Sequence, residues 1–125
     1  MSQIRMCRKG TVKATTSSPY QCKSLGHDNY GWEVQITTKP YPLDEFGFII
    51  DNMLIQQEVN EVFCMKDLPS CEILVIELAA SIKRLCQKHC VMYEDIHIRL
   101  WPMPGCTGLD PDNIASFEYS LSGNF

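Results

Sequence analysis

Residues 30 to 38 alternate with a period of two: Trp32, Val34 and Ile36 point one way, and Glu33, Gln35 and Thr37 the other. Successive side chains of a strand leave opposite faces, so this pattern is a strand with one face buried. Such a strand requires partner strands beside it and an apolar layer beneath it.

The rest of the chain supplies both. Residues 4 to 16 are β-prone with partial alternation, and Ser17, Ser18 and Pro19 break them. Residues 39 to 42, Lys-Pro-Tyr-Pro, form a turn or short irregular link. Phe46 to Ile50 reads as a short apolar strand running into Asp51, whose carboxylate suits a helix N-cap. Behind it Met53, Leu54, Ile55, Val59, Val62 and Phe63 recur at helical spacing. Pro69 and Ser70 open a second helix, with Ser70 as N-cap and Glu72 complementing the first-turn dipole. Its apolar arc holds Ile73, Leu74, Ile76, Leu78, Ala79, Ala80, Ile82 and Leu85, and Lys83, Arg84, Lys88 and His89 load its C-terminal end. Ile96 to Trp101 alternates again until Pro102 and Pro104, and residues 114 to 121 form a last strand. The order strand, strand, helix, helix, strand, strand predicts an α+β domain with an antiparallel sheet.

A chain of 125 residues suits one domain, here residues 1 to 125. A net charge of −4 argues against a nucleic-acid groove, which needs clustered Lys and Arg. The one basic cluster, Arg5, Arg8, Lys9 and Lys13, reads as a solvated first strand. Fifteen acidic residues are too few for a DNA-mimicking surface. No apolar run approaches the ~20 residues that span a membrane. Seven cysteines behind a polar, basic start read as free thiols in a reducing cytoplasm.

The segment from Cys22 to Ile36 resembles the start of the 6-pyruvoyl-tetrahydropterin synthase and 6-carboxy-tetrahydropterin synthase family. There a Cys, a Leu and a His-Gly-His precede Asn or Ser, Tyr and an alternating strand. Gly47 to Asp51 is similar to the family's entry into its first helix, and Pro69 to Glu72 to the opening of its second. Leu100 with Trp101 and Phe117 to Tyr119 are similar to its last two strands. The match covers roughly residues 11 to 121. It implies the tunnelling fold, or T-fold: a four-stranded antiparallel sheet with two helices on one face. It also implies a homo-oligomer (trimer, tetramer or hexamer) with ligand sites between subunits.

The departures concern chemistry. The family holds zinc with three His, two of them in His-x-His, where strand alternation puts i and i+2 on one face. The matching positions here are Gly26 and Asp28, with His27 between them. The only other histidines are His89 and His97. Cys22 stands at the family's nucleophile-like Cys, but the loop from Cys64 to Pro69 offers Asp67 without a His. Pro102 stands where the family has a pterin-anchoring Glu. The resemblance thus makes Cys22 the catalytic-type residue and Glu72 and His27 the ligand-binding ones, with no metal and no cofactor expected. Glu72 reads equally as helix-dipole compensation.

Other groupings give less. Cys86, His89 and Cys90 share a helix face, but at ~1.5 Å rise per residue that end lies some 20 Å from Cys71, too far for one zinc site. Buried thiols with a capping His are the simpler reading. His97, Arg99 and Trp101 share a strand face that either meets solvent or stacks a flat ring. Ser17 and Ser18 lack partners for a hydrolase triad, and no Gly-rich phosphate loop is present.

Three functions are consistent with these residues. The first is a pterin-synthase-like protein that binds a pterin- or purine-like ring at a subunit interface without zinc-dependent lyase activity. The second is a non-enzymatic interaction module, an inhibitor or assembly protein with a protein partner. The third is an active synthase whose metal site is rebuilt from Cys22, His27 and Asp28. The balance of residues leans away from an enzyme.

Overall fold

The computed structural model describes residues 2–13, 29–40, 43–64, 71–102 and 116–123. Four strands, β1 (Ile4–Lys13), β2 (Asn29–Thr38), β3 (Tyr93–Pro102) and β4 (Phe117–Ser122), form one antiparallel sheet in the order β1-β2-β3-β4. Two helices, α1 (Asn52–Cys64) and α2 (Cys71–Lys88), occupy the connection between β2 and β3. The expected element order is the observed one. Helix α1 packs against β1 and α2, and α2 packs against β3 and β4. Among the described residues no helix is long and apolar enough to cross a membrane.

Alternation decides the core. Tyr30, Trp32, Val34 and Ile36 of β2 and Ile96, Ile98 and Leu100 of β3 are all buried against the helices. The register pairs Trp32 with Leu100, Val34 with Ile98 and Ile36 with Ile96, so the two apolar stripes lie side by side. A bulge between Thr37 and Thr38 shifts the pairing at the end of β2. From the helix side come Ile55, Val59, Val62 and Phe63 of α1 and Leu74, Leu78, Ile82 and Leu85 of α2. Tyr30 and Phe63 join the layers with ring centroids 5.4 Å apart.

Both helix ends have local causes. The Met53 N–H donates to Asp51 Oδ1 at 2.9 Å, so Asp51 is the cap its position predicts. After α2 the chain turns at Cys90, at φ 57°, and the Val91 N–H reaches back to the Cys86 carbonyl at 2.8 Å. Ser70, the expected cap of α2, lies outside the described residues.

The segment Phe46 to Ile50 is not a strand. Asp44 Oδ1 accepts from the N–H groups of both Phe46 (2.9 Å) and Phe48 (2.8 Å), and the Asp44 N–H donates to the Phe48 carbonyl at 2.8 Å. Gly47 supplies the left-handed φ of 82° that closes this turn. The local hydrogen bonds consume the groups a ladder would need, and Phe46 and Phe48 are left 73% and 55% exposed. Met53, Ile73 and Ile76, counted in the apolar arcs by spacing, also face outward. Strand β3 begins at Tyr93, earlier than the Ile96 start its alternation suggested, and β4 begins at Phe117. Residues 14–16, 114 and 115 lie outside the described residues.

Candidate functional site

The second face of the sheet carries the polar chemistry. Register places Lys9, Glu33, Arg99 and Glu118 in one row across the four strands, with Cys7, Gln35, His97 and Ser120 in the next. Glu33 is the centre of the first row and is buried beneath its neighbours. Its carboxylate accepts from Gln35 Nε2 and lies 3.4 Å from Lys9 Nζ. The Gln35 hydrogen bond, helped by Lys9, holds its carboxyl below the usual carboxylate range against the opposing effect of burial. Partial burial, and then Glu33 itself, push the Cys7 thiol up.

His97 is the centre of the second row. Its Nδ1 lies 2.6 Å from Ser120 Oγ, directly opposite, and its Nε2 lies 3.0 Å from Glu118 Oε1 on the diagonal. The Arg99 guanidinium stands 5.2 Å from the centroid of the Trp101 ring. That indole occupies the space over Gly31, where an added Cβ would meet Trp101 Cε2 at 2.2 Å.

The residues singled out by resemblance fall elsewhere. Cys22, His27 and Asp67 lie outside the described residues. Glu72 stands exposed in the first turn of α2. The helix layer covers one face of the sheet and the His97 row occupies the other, so Glu72 and His97 belong to separate surfaces. Cys71 and Cys86 are buried in the core, while Cys90 and His89 are exposed beyond α2. Burial pushes the Cys86 thiol up to about 12. Burial also raises Tyr93, with Cys86 adding to it. Among the described residues no three His, Cys, Asp or Glu side chains group as metal ligands. His89 follows α2 and His97 lies on β3.

Two features were not legible beforehand. Arg8, read as part of a solvated cluster, lies on the core side of β1, half-buried, and donates from Nη2 to Gln56 Oε1 of α1 at 3.4 Å. The Ser120 and Glu118 partners of His97 are visible only through the β3–β4 register, because 21 to 23 residues separate them in the chain.

No family model matches this sequence, and no curated protein matches it. Among solved structures the chain is similar to dihydroneopterin aldolase from Burkholderia thailendensis bound to guanine. That likeness has a TM-score of 0.62 and 14% identity, and covers 98% of this chain and 92% of that one. The chain is also similar to Caenorhabditis elegans 6-pyruvoyl tetrahydropterin synthase, with a TM-score of 0.48, 16% identity and coverage of 99% and 98%. The likeness to the aldolase, with the antiparallel four-stranded sheet and its two helices, establishes the T-fold.

Proposed function

We propose that this chain is one subunit of a homo-oligomeric T-fold protein that binds a planar guanine- or pterin-like ring between subunits, without zinc-dependent lyase chemistry. The observation that carries this reading is the near full-length likeness to an aldolase structure bound to guanine. Two features of this chain support it. Among the described residues β1 and β4 are the outermost strands of the sheet, and a second copy is a natural partner for a strand at an edge. Glu72 offers an exposed carboxylate at a helix N-terminus, and a carboxylate accepts two hydrogen bonds side by side. The imino and amino groups of a guanine or pterin edge are two such donors. Cys22 and His27 complete the set to be tested, and a cytoplasmic location belongs to the same reading.

The test combines light scattering on a sizing column with calorimetric titration of guanine and pterin. A mass of three, four or six times 14.3 kDa, saturable binding, and loss of binding in Glu72→Ala would support the proposal. A monomer that binds neither compound would sink it.

One observation favours the interaction-module reading instead. Exposed Phe48, its ring centroid 6.4 Å from that of exposed Phe46, lines a groove of about 260 Å³ with Ile4, Met6, Leu43, Ile49 and Ile50. A monomer that ignores both rings and forms a stable complex with another protein would decide for it.

A further inference from the structure

We propose that Ser120, His97 and Glu118 form a nucleophilic site on the polar face of the sheet, able to take the acyl group of a small carboxylic ester. The argument uses one chain and does not rest on the proposed ring binding.

Strands β3 and β4 pair so that His97 faces Ser120 across the ladder and Glu118 on the diagonal. A carboxylate only accepts hydrogen bonds, so the contact of 3.0 Å assigns the proton of a neutral imidazole to Nε2. Nδ1 is then the acceptor, and the Ser120 hydroxyl donates to it at 2.6 Å. A hydroxyl on an imidazole that is itself held by a carboxylate is the arrangement that activates a nucleophile, whichever fold carries it. The site is open to reactants: the side chains of His97 and Glu118 are 27% and 54% exposed, and Ser120 is exposed. Arg99 faces Glu118 in the adjacent row and brings a fixed positive charge to the same face, with Trp101 as a flat apolar surface beside it.

The step balances without a cofactor. Ser120 Oγ attacks the ester carbonyl carbon while its proton passes to His97 Nδ1. The bond from carbon to the alkoxy oxygen breaks, and the leaving alcohol takes that proton. Water then attacks the acyl-serine, passes a proton to Nδ1 and releases the acid, and the proton returns to Ser120. Ser120 is the nucleophile and His97 the general base. Glu118 is a positioning residue that holds the ring through Nε2.

The experiment treats the full chain with p-nitrophenyl acetate and, separately, with a fluorophosphonate, followed by peptide mass mapping. The expected result is one adduct on Ser120, absent in Ser120→Ala, and phenolate release slowed at least about 100-fold in His97→Gln. Glu118→Gln is expected to lower the rate at saturating ester without changing the half-saturating concentration, and Glu118→Asp to restore part of it. Circular dichroism and melting of each variant separate loss of chemistry from loss of fold. No adduct on Ser120, or equal labelling of wild type and His97→Gln, would overturn the proposal.

Discussion

Gly31 and Trp101 face each other across β2 and β3, and the indole occupies the space where a side chain on Gly31 would stand. Gly10 and Trp32 repeat the relationship on the other face, where a Cβ would meet Trp32 Cζ2 at 2.6 Å. Trp32 is fully buried and Trp101 is not. Gly10→Ala therefore costs about 1–3 kcal/mol, because the core cannot yield. Gly31→Ala costs less, because the Trp101 ring swings into solvent and leaves Arg99. Urea unfolding gives the two energies. A red-shifted tryptophan emission in Gly31→Ala alone is the expected signature, and equal destabilisation would refute the difference.

Acid stability depends on Glu33. Its carboxyl lies below the ordinary range, chiefly through Gln35, so the folded state binds this proton less readily than the unfolded chain. The resulting stability is complete above the ordinary carboxylate range and disappears as pH falls through the depressed value. Urea midpoints measured from pH 7 down to pH about 3 should fall more steeply for wild type than for Glu33→Gln. Parallel curves would exclude Glu33 as the source.

Cysteine reactivity divides by burial. Cys86 is held up at about 12 inside the core, whereas Cys7 and Cys90 are exposed. Of Cys7, Cys86 and Cys90, alkylation near pH 8 should label Cys90 first and Cys7 more slowly, and should reach Cys86 only in denaturant. Because the unfolded thiol ionises at a lower pH than the folded one, Cys86 also lowers stability as pH rises above its ordinary value. Peptide mapping after timed labelling checks the order, and early labelling of Cys86 would contradict its placement.

The turn at Asp44 is a local device. Asp44→Ala frees two amide donors, and Gly47→Ala costs about 1–2 kcal/mol of backbone strain at positive φ. Both changes should speed hydrogen exchange at Phe46 and Phe48; Asp44→Ala should barely move the melting temperature, since both rings are exposed, whereas Gly47→Ala should lower it by several degrees. Asp44→Asn keeps the acceptor and should exchange like wild type.

In the core, Ile98→Ala removes a fully buried side chain from the centre of the β2–β3 stripe and should cost about 2–5 kcal/mol. Equilibrium unfolding measures it.

The alternation around Trp32, Val34 and Ile36, the helical spacing through Val59 and Phe63, and the Asp51 cap were legible because each is a local rule. Period and capping act within a few residues, so the order of elements and the α+β class followed from the chain alone. The same locality explains the failure at Phe46 to Ile50. Its apolar run resembles a strand, but the side chain of Asp44 takes the amides first. What only the tertiary structure decided was pairing. Strand register brings His97 to Ser120 and Glu118 and buries Glu33 between Lys9 and Arg99, while the packing of α1 on β1 brings Gln56 to Arg8. No spacing rule relates residues on separate strands, because the ladder that sets their distance is formed by the fold as a whole.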